Sequence, residues 1–145
     1  MQIRTRIVGN LGSERWGKAA TTESLYTMMK IMVITQRAIQ SQSPKRSMAL
    51  ERSIKVKMFG LQAGAVYTDS IYAPTQEFGA VIRPKRAKFL HFINEKTGDE
   101  VFTTKVTIPA THFFEKGMAI AEPLIMKELR DAGDRLAIRM GFFGI

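Results

Sequence analysis

Residues 72–109 restrict the fold more than the rest of the chain does. They begin with a short aromatic segment that ends at Gly79, pass through a basic run at 83–88, and end at Pro109. Between the basic run and the proline lie two strand-like segments joined by a turn at 95–99. Glycine and proline interrupt regular structure, so this stretch predicts a short helix followed by a β-hairpin.

The flanking segments predict two long helices and a second hairpin, from helical and alternating apolar spacing. The predicted elements are a strand at 1–9, a helix from Thr21 or Thr22 to Ser41, a hairpin of strands 53–59 and 65–70, a short helix at 72–78, a hairpin of strands 89–94 and 101–108, and a helix that ends at Arg139. Together they predict a single α+β domain over 1–145, with an apolar C-terminal tail at 140–145. We expect a mainly antiparallel sheet of about four or five strands with two long helices packed on it.

Apolar spacing also predicts the core. Residues 89–94 are apolar on both faces, which indicates a central strand covered on both sides. Trp16 is expected in a loop, where it covers the core or contacts a partner. Pro123 either kinks the last helix or begins a second one. The core-facing stripe of the first helix is expected to be Leu25, Met28, Met29, Met32 and Ile39, and that of the last helix Met118, Ala121, Ile125, Leu129, Ala132 and Leu136.

Composition limits the function classes. The chain has no cysteine, which excludes a disulfide scaffold, a thiolate metal site and a cysteine nucleophile. No apolar run reaches the roughly 18 residues of a membrane span, and we expect a protein made in the cytoplasm. The formal net charge of +9 favours polyanionic neighbours, or it only solvates the surface.

The motifs of catalysis and cofactor binding are missing from the sequence. His91 and His112 lack the spacing of a zinc protease motif, and no glycine-rich phosphate loop or nucleophile elbow is present. The carboxylates are scattered, and Glu128 is expected beside Arg130 or Asp131 on the surface. We therefore expect neither an enzyme nor a cofactor or metal site.

The densest basic cluster consists of Arg83, Lys85, Arg86 and Lys88. It is suited to contacts with the phosphate backbone of DNA, which depend on salt and not on sequence. Contact with an acidic protein ring fits the cluster equally well. A small basic nucleic-acid-binding module is therefore an alternative function.

An ordered set of short motifs resembles the phage neck and tail-completion proteins, a family that includes the Mu-like virion morphogenesis protein. The motifs are a proline after the first helix, a Ser-Ile strand start, an aromatic-Ala and Glu-Phe-Gly segment, a Pro-Lys run before an apolar strand, and an Ile-Pro-Ala turn with two aromatic residues. Here they are Pro44, Leu50 to Ile54, Tyr72-Ala73 with Glu77 to Gly79, Pro84 to Phe92, and Ile108 to Phe114.

The resemblance implies a structural virion protein that forms a ring of six-fold or twelve-fold symmetry around the DNA channel at the head–tail junction. Its partners would be other connector and tail-terminator proteins, with non-specific DNA contact and no membrane. The expected contacts with DNA or an acidic partner are those of the basic cluster. The expected subunit or partner contacts are Tyr72, Glu77, Phe78, His112, Phe113, Phe114, Phe142 and Phe143.

Overall fold

The computed structural model of the chain describes residues 2–4, 14–46 and 48–142, with side chains from Gly17 onward. These residues form two compact units, one from Met1–Ser70 with Phe113–Ile145 (unit 1) and one from Ile71–His112 (unit 2). Unit 1 contains β1 (Gln2–Arg4), α1 (Glu14–Gln42), α2 (Ala49–Ser53), β2 (Ile54–Met58), β3 (Ala63–Thr68) and α4 (Phe113–Arg139). Unit 2 contains α3 (Ala73–Phe78), β4 (Ala80–Ile82), β5 (Leu90–Ile93), β6 (Glu100–Thr103) and β7 (Val106–Ile108). The single domain over 1–145 stays a prediction.

The fold is α+β, as the sequence predicts, and all strand pairs in the described residues are antiparallel. The strands form a three-stranded sheet in the order β1-β3-β2 and two separate pairs, β4-β7 and β5-β6. The single strand expected at 101–108 is interrupted, because the Thr103 hydroxyl donates to the Lys105 carbonyl at 2.9 Å and the chain turns there. Its two halves therefore pair with different strands, β5 and β4.

Helix α1 ends before Pro44, as predicted, but it begins earlier than expected. Thr21 donates its hydroxyl to the Gly17 carbonyl at 2.8 Å, and Thr22 does the same to Lys18 at 2.9 Å. Both threonines bond one turn back along the helix, so they lie inside α1 and do not cap it. Trp16 consequently lies within the first turns of α1 and not in a loop.

The core of unit 1 is built on one face of α1. Met28, Met32 and Ile39 are buried, as predicted, whereas Leu25 and Met29 are exposed to 41% and 53%. The buried face is displaced from the predicted stripe and also contains Thr27, Ile31, Thr35 and Ala38. Thr35 is tolerated in the middle of this buried face because its hydroxyl donates to the Ile31 carbonyl at 2.8 Å.

Helices α1 and α4 pack antiparallel, with Ile39 beside Gly117 at one end and Glu23 beside Arg135 at the other. Phe113, Ala121, Ile125 and Ala132 of α4 are buried, so the predicted stripe of this helix is largely confirmed. Pro123 lies within a single helix of 27 residues and does not start a second one.

Helix α1 also covers the three-stranded sheet. The Gln36 side chain donates to the Ile54 carbonyl at 2.8 Å, which ties the helix to β2. A Cβ atom on Gly64 of β3 would lie 2.7 Å from the Met32 sulfur, so the glycine permits the close approach. The β2–β3 hairpin agrees with the predicted one, and Val56 pairs with Val66 across it.

Unit 2 has little core of its own. Helix α3 carries Pro74 in its first turn and ends at Gly79, which has a φ of 75°, as the sequence predicts. Among the described residues of unit 2, Ala73 is the one buried hydrophobic residue. The prediction of a central strand covered on both sides at 89–94 is wrong, because Phe89, Phe92 and Ile93 are exposed and, among the described residues, β5 pairs with β6 alone.

Candidate interaction surfaces

The segment around α3 exposes large apolar side chains. Ile71 is 80% exposed, Tyr72 is 67% exposed and Phe78 is 75% exposed. We call these three residues the α3 surface. Two of them, Tyr72 and Phe78, are predicted contact residues. Glu77 is half-buried, and its carbonyl accepts a hydrogen bond from the His112 amide at 3.2 Å.

The aromatic turn before the last helix differs from the prediction in one residue. Phe113 is fully buried, because it begins the α4 stripe that packs in the core of unit 1. It is therefore a core residue and is not available to a partner. Phe114 is half-buried and meets the Phe113 ring edge-on, with the ring centroids 5.2 Å apart. His112 is exposed and has a φ of 51°, in the left-handed region.

The apolar tail is described only at its start. Gly141 has a φ of 77°, and the Phe142 amide donates to the Ala137 carbonyl at 3.0 Å, so these residues close the end of α4. Phe142 is 67% exposed, in keeping with a contact residue. Phe143 and the rest of the predicted tail lie outside the described residues.

The basic cluster occupies the irregular segment between β4 and β5. Arg83, Lys85, Arg86 and Lys88 are all exposed, and none forms an ion pair with the described residues. The Lys88 ammonium lies 5.7 Å from the centroid of the Phe89 ring, within the range of a cation–π contact. The structure thus keeps the predicted basic cluster together and accessible.

The β5–β6 hairpin carries an exposed aromatic surface, contrary to the prediction of a covered strand at 89–94. The His91 and Phe102 rings stack across the two strands, with their centroids 4.5 Å apart and their planes 13° apart. Phe89, Phe92 and Ile93 are also exposed. The shortness of the strand and the basic run directly before it are the features that could have indicated an exposed hairpin.

Helix α1 has a second apolar stripe beside its core-facing one. Leu25, Met29 and Val33 recur every four residues and are all exposed. We call them the outer stripe of α1. The stripe extends the apolar surface of the helix beyond its buried face, and an exposed apolar patch of this kind is typical of a contact surface. The prediction that Leu25 and Met29 belong to the core is wrong, because four-residue spacing alone does not say which face is buried.

The least expected cluster is a buried ionic group in unit 1. Arg135 donates to Glu23 at 2.7 Å and to Glu128 at 2.8 Å, and Lys30 lies 2.6 Å from Glu128. Both carboxylates are buried, so the prediction that Glu128 is a surface residue beside Arg130 or Asp131 is wrong. Tyr26 adds its ring 5.3 Å from the Arg135 guanidinium.

The ionic group holds Glu128 in its charged form. Burial raises the pKa of Glu128, but the hydrogen bonds from Lys30 and Arg135 outweigh burial and leave the pKa below its usual value. The hydrogen bonds that Arg135 donates to the Glu128 and Glu23 carboxylates in turn raise the pKa of Arg135. Carboxylates held by an arginine in this way are suited to joining two helices.

Comparison with known proteins gives no family. No family model, no curated protein and no solved structure matches the chain. The resemblance to phage neck and tail-completion proteins therefore stays a prediction. Among the described residues, no helix has both the length and the apolar composition needed to cross a bilayer.

Proposed function

We propose that the protein is a non-catalytic structural subunit of a phage virion, a neck or tail-completion component that assembles into a homo-oligomeric ring of six-fold or twelve-fold symmetry at the head–tail junction. It would be made in the host cytoplasm and would meet other connector and tail-terminator proteins in the particle. The observation that carries the proposal is the α3 surface, where Ile71, Tyr72 and Phe78 are between 67% and 80% exposed.

The α3 surface supports assembly on energetic grounds. Burial of a large apolar side chain contributes about 1.5–3 kcal/mol relative to full exposure. Three such side chains within eight residues are typical of a protein–protein contact and not of a solvated helix. We assign this surface to the contact between neighbouring subunits.

The outer stripe of α1 supports a closed ring. A subunit in a ring presents two different patches, one to each neighbour, because the contact is heterologous. Leu25, Met29 and Val33 provide a second apolar patch in unit 1. We also propose that the two long helices pack on one sheet, as the sequence predicts, and that this framework supports the contact surfaces.

Sedimentation velocity tests the assembly. We expect the wild-type chain to form oligomers at micromolar concentration, and the double variant Ile71→Ser, Phe78→Ser to dissociate at least about tenfold more easily, which corresponds to about 1.4 kcal/mol. Phe59→Ser is the matched control, because Phe59 is an aromatic residue of unit 1 that is 55% exposed. A monomeric wild type, or equal weakening by the control, contradicts the proposed contact.

Electron microscopy tests the place in the virion. In a phage that lacks this gene, we expect filled heads and tails that fail to join, or tails with a defective end. Complementation with the wild-type gene should restore joined particles, and complementation with the α3 variant should not. Normal infectious particles without the gene would refute the virion function.

A further inference from the structure

The basic segment at 83–88 is an unneutralised positive surface. Its four cations lie in an irregular segment of only six residues, and no carboxylate among the described residues pairs with them. Elsewhere in the described chain, exposed cations such as Lys45, Lys55 and Lys127 do have acidic partners, at 2.6 to 2.9 Å. The positive charge of this segment is therefore available to an external polyanion.

Exposed aromatic rings follow the basic segment directly. Phe89 carries the Lys88 ammonium over its ring at 5.7 Å, so a cation and a ring lie together at the start of β5. Further along the hairpin, His91 stacks on Phe102, whose side chain remains 62% exposed. Exposed rings on a strand beside a positive segment combine the two components of a single-strand binding surface, which are backbone neutralisation and base stacking.

The hairpin also separates its charges along its length. Glu100 pairs with Ile93 in the ladder, and Glu95 and Asp99 lie in the turn with one cation, Lys96, so the tip is net acidic. The Glu100 carboxylate lies 3.5 Å from the His91 ring nitrogen. Lys88 lies at the opposite end, before the first strand. A strand of nucleic acid would therefore meet cations at the base of the hairpin and be repelled at its tip.

We propose that the base of the β5–β6 hairpin binds single-stranded nucleic acid, with Arg83, Lys85 and Arg86 on phosphates and with bases stacked on Phe89 and Phe102. The rings decide between the possible polyanions. An acidic protein surface and a nucleic-acid duplex both carry negative charge, but neither has unstacked bases, so the exposed rings would add nothing to the binding of either. Single strands use both components.

Fluorescence anisotropy on the full chain tests the site, with a labelled oligothymidylate of about 20 nucleotides and a duplex of the same length. We expect the single strand to bind more tightly than the duplex. Substitution of Phe102→Leu, which keeps an apolar side chain, should weaken single-strand binding about tenfold and leave duplex binding unchanged. An equal effect on both probes would contradict stacking.

The salt dependence tests the cations. The triple variant Arg83→Gln, Lys85→Gln, Arg86→Gln should reduce the slope of log K against log salt by about 2, since each phosphate contact on a single strand contributes about 0.7. The matched control is Lys18→Gln, Arg37→Gln, Arg52→Gln, which removes the same charge from exposed positions of unit 1. A similar loss of slope in the control shows that net charge alone attracts the oligonucleotide, and it overturns the site.

Two further measurements keep the outcome decisive. The thermal unfolding midpoint of each variant should match that of the wild type, because all the substituted side chains are exposed or half-buried. If Phe102→Leu fails to fold, Phe89→Leu takes its place as the test of base stacking. Competition with polyglutamate distinguishes the acidic protein partner. We expect polyglutamate to displace the oligonucleotide only weakly, because it has no bases to stack on the rings. Complete displacement at an equal concentration of negative charge would refute nucleic-acid binding in favour of that partner.

Discussion

Arg135 is a single residue on which the pairing of α1 with α4 depends. Its guanidinium joins Glu23 of α1 to Glu128 of α4, and both carboxylates are buried. A buried charge is tolerated only when it is paired and hydrogen-bonded. The sequence could not reveal the group, because Glu23 and Arg135 are 112 residues apart. Local spacing offered only Arg130 and Asp131 as neighbours of Glu128.

Substitution of Arg135→Ala should lower the free energy of unfolding by about 3 kcal/mol at neutral pH, because it leaves two buried carboxylates short of a partner. Lys30 and Arg139 remain nearby and keep the loss from being larger. Urea denaturation measures the change. Arg130→Ala, at an exposed position of the same helix, is the control and should cost less than about 0.5 kcal/mol.

The effect of Arg135→Ala should depend on pH. Because the pKa of Glu128 is lowered in the folded chain, its ion pairs stabilise the fold above the unfolded value of about 4.3, and this stability is lost as the pH falls through the folded pKa. The difference between wild type and variant should therefore shrink below about pH 4. A difference that stays constant from pH 7 to pH 3 would show that Arg135 acts through packing alone.

The packing of α1 against α4 depends on a close approach of their backbones at Gly117. The α1–α4 contact requires Gly117, because a Cβ atom there would lie 2.5 Å from the Ile39 Cα atom and 2.8 Å from its amide nitrogen. Both contacts are to backbone, which cannot move as a flexible side chain can. The antiparallel pair of helices is therefore fixed at a position where only glycine fits.

Gly117→Ala should destabilise unit 1 by about 1–3 kcal/mol through overpacking, although alanine normally favours a helix. Gly133→Ala is the matched control in the same helix, because a Cβ atom there meets nothing within 4 Å. The control should gain up to about 1 kcal/mol. Urea midpoints of the two variants that move in the same direction would contradict the close contact.

The sequence predicts elements well where local chemistry decides them. Pro44 ends α1, Gly79 ends α3, and alternation gives the β2–β3 hairpin. It fails where distant packing decides. The buried face of α1 depends on α4 and the sheet, so the prediction that Leu25 and Met29 are core residues is wrong. The prediction of a covered strand at 89–94 is wrong, because apolar character alone does not distinguish a covered strand from an exposed one.

The two units of the molecule differ in how they are stabilised. Unit 1 contains nearly all the buried hydrophobic residues of the described chain, and unit 2 contributes only Ala73 to them. The predicted stretch at 72–109 coincides closely with unit 2, which spans Ile71–His112. Its glycines, prolines and charges were visible in the sequence. Its lack of a core was not, because that depends on what packs over each strand.

Hydrogen exchange should show this difference directly. We expect the amides of β5 and β6 to exchange at least about a hundredfold faster than those of α1, because few buried contacts oppose opening of their ladder. The β2–β3 hairpin is the internal control, since it is also a hairpin but contributes Ile54 and Val66 to the core. Equal protection in the two hairpins would mean that unit 2 is stabilised as strongly as unit 1.

The partition of unit 1 into two chain segments has a consequence during synthesis. Its buried helix pair joins residues near the start of the chain to residues after Phe113, so α1 cannot meet α4 until the last part has left the ribosome. At 5–20 residues per second, the roughly 70 residues between the two helices take about 4–14 s to make. During that interval β2 and β3 can already pack on α1, but the part of its buried face that contacts α4 is uncovered, and a nascent chain in this state is the form most exposed to chaperones and to aggregation.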